Sequence, residues 1–310
     1  MYIKNRRGIP VNINWYPGHM LKTKRQISED LKLVDVVVEI LDSRIPLSSQ
    51  NPDVAKIIAE KKHIIVLNKS DLAEEIHNNK WVEYFSNKNK VAVVTDSNSG
   101  KGIKEVLKQI EKVMQSDLEK AALKGINRKK IRLMIVGIPN VGKSSFINRM
   151  CNKKSAIVGN RPGVTKQKQW VKISNNIELL DTPGVLWPKF EDEEVALKLA
   201  YTGTIKDELI IKVDVAYSLL KYLYENYREN ILERYDVEAD GIRPDYEAGR
   251  MQYAPTEDED HIYDLMKQIA KKRGALLSGG NFDDEKVAGI ILNEFRAGKL
   301  GKITLEKVNE

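Results

Sequence analysis

Residues 132–145 read R-L-M-I-V-G-I-P-N-V-G-K-S-S, an apolar run that opens into a glycine-rich loop. Gly137, Gly142, Lys143 and Ser144 match the phosphate-loop spacing G-x-x-x-x-G-K-[ST]. In such a loop the glycines let backbone N–H groups turn inward around a phosphate chain with no Cβ in the way. The loop residues in reach would be Asn140, Val141, Gly142, Lys143, Ser144 and Ser145. Lys143 would neutralise the β- and γ-phosphates, and the Ser144 hydroxyl would ligate Mg²⁺. A helix predicted from Ser145 to about Asn152 would aim its positive end at the same anion. A chance glycine-rich turn would not need a strand before it and a helix after it. The stretch reads as a nucleotide site.

Which base it would take depends on an earlier stretch, H-I-I-V-L-N-K-S-D at 63–71, an apolar strand that ends in N-K-S-D. The Asp71 carboxylate can accept hydrogens from both N1–H and the exocyclic amine of guanine, a donor pair that adenine lacks. Asn68 would brace the loop and bond the base edge, while the Lys69 stem would pack on the ring face. Alone, N-K-x-D is a weak match. Joined to a phosphate loop, it resembles the guanine-specificity motif of the GTPases. After the strand 91–95 come Ser97, Asn98, Ser99 and Gly100, a weak version of the loop that closes over the base.

In ordinary small GTPases the base motif follows the phosphate loop, whereas here it precedes it by about seventy residues. Beyond the phosphate loop lie R-P-G-V-T at 161–165 and D-T-P-G at 181–184, where two switch motifs belong. Asp181 would hold Mg²⁺ through water. Thr165 would reach Mg²⁺ and the γ-phosphate only in the triphosphate state, and Gly184 would offer that phosphate a backbone N–H. Losing both contacts on hydrolysis is the physical basis of a switch. The order is that of a circularly permuted GTPase. After D-x-x-G many GTPases place a Gln that orients the attacking water. Here the residue is Val185, whose side chain has no hydrogen-bonding group. His19 is a candidate to replace it, since a neutral imidazole can position water. The alternative for His19 is to cap the turn after Pro17-Gly18.

The elements that must hold these loops alternate. Strands are expected at 34–41, 63–67, 91–95 and in the apolar run that starts at 132, and helices near 52–61, 74–86 and 102–124. Near-continuous apolar strands alternating with helices predict a doubly wound α/β sheet with ligands at the strand C-termini. Two further strands, 169–173 and 177–181, flank an Asn175-Asn176 turn. From Leu186 the pattern turns helical. Apolar stripes predict helices at 195–201, 215–232, 262–272 and 287–295, with a polar connection at 236–259. The expected organisation is a basic and aromatic segment at 1–20, a GTPase domain at 21–187 and a small all-α domain at 188–310. Residues 1–20 interleave Lys4, Arg6 and Arg7 with Trp15 and Tyr16, which suits RNA or a tail that packs its Trp on the domain.

Bulk properties agree. The 310 residues carry a net charge of +7, which fits a polyanionic partner and also an ordinary basic enzyme. A single cysteine, Cys151, excludes an intramolecular disulfide and suits a reducing cytosol. With no 18-residue apolar run and no signal peptide, a soluble cytoplasmic protein away from membranes is expected.

Taken with the permuted order, W-Y-P-G-H-M at 15–20, D-S-R-I-P at 42–46, G-I-P-N-V-G-K-S at 137–144 and D-T-P-G followed by Val identify a member of a family. The chain closely resembles the bacterial ribosome biogenesis GTPase A family. The resemblance implies GTP hydrolysis during late maturation of the large ribosomal subunit, with rRNA as partner; no DNA partner and a monomeric protein are expected. It implies a catalytic role for His19 when the valine is retracted. It also implies K⁺ as a cofactor beside GTP/GDP and Mg²⁺, with Asn140 as its ligand. Asn98 departs from the Ala usual in the base-closing loop. Readings from other classes are a tRNA-modifying GTPase, or an RNA-binding adaptor gated by nucleotide.

Overall fold

The computed structural model describes residues 2–4, 10–12, 25, 27–126, 130–151, 170–180, 192–237, 257–278 and 281–308. His19, Thr165, Asp181, Gly184 and Val185 lie outside the described residues. The chain divides into two compact units. One comprises residues 15–195 with 304–310, and the other residues 1–14 with 196–303.

A short antiparallel ribbon, β1 (Tyr2–Lys4) and β2 (Pro10–Asn12), belongs to the second unit. The first unit is built on β3 (Val36–Asp42), β4 (Lys62–Asn68), β5 (Val91–Val94), β6 (Ile131–Val136), β7 (Trp170–Lys172) and β8 (Ile177–Leu180). Among the described residues these strands form one sheet in the order β5-β4-β3-β6-β8-β7. β7 runs antiparallel to β8, and the other pairings are parallel. All seven residues of β3 are buried, as apolar strands between helical layers should be. Glu39 and Asp42 are the exceptions in type, and both are paired: the Glu39 carboxylate lies 3.1 Å from His63 Nε2 and accepts from Gln50 Nε2 at 2.9 Å, while Asp42 is paired with Arg44 and Lys69.

Register decides which loops meet. Asp42 of β3 pairs with Asn68 of β4, and Leu67 of β4 with Val94 of β5. The three loops that leave these strand ends therefore emerge side by side. On the other flank Val136 of β6 pairs with Glu39, three residues short of Asp42. Gly137 then turns beside the β3 backbone with φ 152°, and a Cβ there would sit 2.6 Å from the Ile40 carbonyl oxygen. Only glycine fits that passage. The base-motif strands β3–β5 and the phosphate-loop strands β6–β8 thus meet along the single β3·β6 seam. The helix Ile103–Leu123 carries the chain from one half to the other, burying Ile103, Val106, Ile110 and Met114. The doubly wound, circularly permuted architecture expected from the motif order is the one observed.

The second unit is helical: Lys212–Asn226, Arg228–Tyr235, Glu257–Arg273 and Asp284–Arg296, with the end of Glu193–Tyr201. The single helix expected over 215–232 is two. Asn226 Nδ2 donates to the Tyr222 carbonyl at 2.9 Å, competing with the helical ladder, and Tyr227 leaves the helix at φ −142°, ψ 42°. Leu219, Leu223 and Ile231 are buried on both sides of the break, so apolar spacing could not reveal it. Among the described residues no helix is long and apolar enough to cross a membrane.

Phe146, fully buried in the helix Lys143–Met150, should cost about 3–5 kcal/mol when replaced by Ala. Ile76→Ala, on the exposed face of Glu75–Ser86, should stay within about 0.5 kcal/mol. Urea unfolding of both variants checks the pair.

Candidate nucleotide site

Asn68 closes β4 with its side chain 1% exposed, and its amide joins three loops. Oδ1 accepts from Ser97 Oγ at 2.7 Å, from Ser97 N at 3.1 Å and from Thr95 Oγ1 at 3.2 Å. Nδ2 donates to the Val141 carbonyl in the phosphate loop at 2.8 Å. Gly142 follows with φ 92°, and a Cβ there would collide with that same Nδ2. The second glycine of the phosphate-loop motif is therefore required by the Asn68 amide packed against it. The Oδ1 and Nδ2 contacts give Asn68 the bracing geometry expected of it. Asp71 is the residue left facing out.

Lys69 turns through φ 61°, and Leu72 N closes onto its carbonyl at 3.0 Å. Its Nζ lies 3.0 Å from Asp42 Oδ2, at the buried end of β3. Asp42 also accepts from Arg44 Nε at 3.0 Å and Nη2 at 2.8 Å. Burial opposes ionisation of Asp42, but the Arg44 and Lys69 charges and hydrogen bonds hold its carboxyl far below the usual range. Asp71 goes the other way. Burial, then the Asp96 charge, raises its pKa above the ordinary carboxylate value.

The base-closing loop is folded around Asp96. Its carboxylate accepts from Asn98 N at 2.8 Å and Ser99 N at 3.2 Å, and its backbone N–H meets the Lys101 carbonyl at 3.0 Å. Arg149, on the phosphate-loop helix, donates through Nε to the Ser97 carbonyl at 3.2 Å and through Nη2 to that of Asn98. Ser97 and Asn98 are thus fixed from both sides.

In the phosphate loop Asn140 has φ 61° and Gly142 forms a left-handed cap for the helix Lys143–Met150. Val141 is fully buried and anchors the loop, while Ser144 and Ser145 are exposed in the first helical turn. Lys143 is part-buried, its Nζ donating to the Ile138 carbonyl at 2.5 Å. Burial lowers its pKa to about 8. The arrangement offers a helix N-terminus, a loop backbone and one ammonium to a phosphate chain, with a carboxylate on a neighbouring loop for a base.

Of the residues singled out from spacing, Asn68, Ser97, Asn98 and Val141 fall into one bonded network, Gly142 packs against the Asn68 amide, and Lys69 is paired with Asp42. Asp71, Asn140, Lys143, Ser144 and Ser145 stand on the same loops. Spacing gave no role to Asp42, Arg44, Asp96 or Arg149. Of these only Asp42 and Arg44 carried a signal, as part of D-S-R-I-P.

A family model described as a 50S ribosome-binding GTPase matches residues 132–240. The chain is 43% identical to the ribosome biogenesis GTPase A of Bacillus cereus, over 96% of this chain and 95% of that one. To the protein of the same name from Thermotoga maritima it is 33% identical, over 95% and 94%. Among solved structures, GNP-bound YlqF from Thermotoga maritima aligns with a TM-score of 0.61 at 29% identity, over 92% of this chain and 98% of that one. The GDP-bound structure of the same protein gives 0.62 at 28% identity, over 92% and 100%. With its guanine motif ahead of its phosphate loop along the chain and beside it in the sheet, this chain is a circularly permuted GTPase and belongs to the ribosome biogenesis GTPase A family.

Proposed function

We propose that this protein binds the maturing large ribosomal subunit and hydrolyses GTP to drive or check a late step of its assembly in the cytoplasm. The match to the 50S ribosome-binding GTPase model carries this reading, because it runs from β6 through the phosphate loop and both switch motifs into the helical unit. The segment that would feel the γ-phosphate is continuous with the one that would meet rRNA. Residues 21–187 would act as the catalytic domain, 188–310 as the RNA-facing one, and 1–20 as a basic and aromatic arm.

Asp71 would select guanine, and Lys143 would meet the β- and γ-phosphates among the loop N–H groups. The Ser144 hydroxyl, exposed at the helix start, suits Mg²⁺, with Thr165 and Asp181 as its other ligands and Asn140 as ligand to K⁺. These cations would offset charge that builds up as the γ-phosphate departs. Gly184 would bond that phosphate and draw the helical unit with it. Val185 supplies no group to orient water, so His19 would be brought in when subunit docking orders the N-terminal arm.

Guanine choice is tested first. Asp71→Asn leaves guanine donors unpaired at a desolvated edge, so GDP affinity should fall on the order of a hundredfold, with xanthosine diphosphate gaining. Equal wild-type affinities for ADP and GDP would sink the assignment.

A second expectation follows from Lys143. Binding needs its charged form, and phosphate oxygens raise its pKa above the value of about 8 set by burial. Nucleotide affinity should therefore be complete below that pH and decline as pH rises through it, with up to one proton taken up per molecule bound. Calorimetry from pH 7 to 9 in buffers of different ionisation enthalpy reads this uptake, and Lys143→Arg should flatten it.

Large subunits should stimulate hydrolysis on the order of a thousandfold or more, as a supplied catalytic group does elsewhere, and more in K⁺ than in Na⁺. His19→Ala should bind GTP and subunits normally yet lose the stimulation. Undiminished turnover in that variant leaves His19 a structural residue. Binding without any stimulation of the wild type makes the protein a nucleotide-gated adaptor instead.

A further inference from the structure

Residues 304–306 belong to the nucleotide-binding unit although the helical unit lies before them in sequence. They form a short strap over the back of the base loop. Leu305 N and Glu306 N donate to the Arg44 carbonyl at 2.9 and 3.2 Å. The Glu306 carboxylate accepts from Leu47 N at 2.7 Å, from Ser48 N at 3.1 and 3.2 Å, and from the Ser48 hydroxyl. Trp81 Nε1 donates to the Glu306 carbonyl at 2.9 Å, and Thr304 Oγ1 accepts from Glu74 N at 3.1 Å. Thr304 is fully buried and Glu306 is 8% exposed. A buried carboxylate clasped by two adjacent backbone N–H groups is a strong and directional tether.

What the strap holds is more telling than how firmly it holds. Arg44, gripped through its carbonyl, is the residue whose guanidinium fixes Asp42, and Asp42 in turn takes Lys69 of N-K-S-D. Glu74 lies three residues beyond Asp71. The strap therefore pins the chain on both flanks of the base loop, at 44–48 before it and at 74–81 after it. The helix Asp284–Arg296 ends only eight residues before Thr304.

We propose that residues 304–306 are a positioning strap for guanine recognition, with Glu306 as its principal residue. Glu306 touches no nucleotide. It acts through Arg44, Asp42 and Lys69 to hold Asp71 where two hydrogen bonds to guanine are possible. Because the strap follows the last helix by only eight residues of chain, whatever binds the helical unit can alter the grip on the base without reaching the phosphates.

The inference rests on Asp71 being the guanine-reading residue, so its test compares GDP with inosine diphosphate, which lacks the exocyclic amine. Full-length Glu306→Ala should bind GDP about tenfold more weakly, with inosine diphosphate affected less, so that the ratio of the two affinities shrinks. Glu306→Gln, which keeps one acceptor, should restore part of the ratio. Thr304→Val and Ser48→Ala, milder losses at either end of the strap, should move the ratio the same way if Glu306→Ala does not fold. Pyrophosphate affinity should be unchanged in all four. A lowered melting temperature with an unaltered ratio would overturn the proposal. A wild type that does not distinguish the two nucleotides, with Asp71→Asn no different, would instead overturn the reading of Asp71.

Discussion

The Asn68 side-chain amide is the point from which the site is organised. It lies at the end of a buried strand, and its two ends face opposite halves of a rearranged domain. One bonds the loop that closes over a base and the other the loop that wraps a phosphate. Satisfying a buried amide this fully leaves little freedom: any shift of the phosphate loop strands a donor, and any shift of the Ser97 loop strands an acceptor, each costing about 1–3 kcal/mol. The spacing between the two loops is thereby held by contacts within the protein. The two halves also share the β3·β6 seam, one long helix and the Arg149 bonds to Ser97 and Asn98, while the strap at 304–306 covers the base half alone.

A second constraint is charge. Asp42 is buried with Arg44 and Lys69 around it, and removing one partner from such a group typically costs about 3–5 kcal/mol. Lys69 holds a left-handed backbone at this spot, so the loop that follows is bent by a conformation that the ion pair helps to maintain. Asp71, two residues on, inherits its position from this arrangement. Its raised pKa is the electrostatic counterpart: a carboxylate partly desolvated and near Asp96 is poised to gain from hydrogen donors.

Much of this was legible in spacing. Gly137, Gly142, Lys143 and Ser144 declare a phosphate loop because few other functions demand those types at those intervals. The apolar runs of β3, β4 and β6 declare parallel strands because both their faces are covered. Motif order alone, Asn68 before Gly142, declares the permutation. Other features were not legible, for a common reason. Arg149 reaches Ser97 across 52 residues, Asn68 reaches Val141 across 73, and Glu306 reaches Ser48 across 258. No local pattern encodes such pairings. The break at Tyr227 was hidden differently, since the apolar stripe runs through it undisturbed.

The long reach of Glu306 has a consequence for how the protein is made. Of the six-stranded sheet, β3, β4 and β5 leave the ribosome first, then β6 adds to the open flank of β3 with β7 and β8 beyond it, and only later does the segment carrying residue 306 emerge. Contacts of such separation form late, because loop-closure entropy must be met before they return any stabilisation. A nascent chain thus passes through a stage in which the sheet is complete and both loops exist, yet the back of the base loop is still open. The protein acquires its full hold on the base only after its helical unit has been translated.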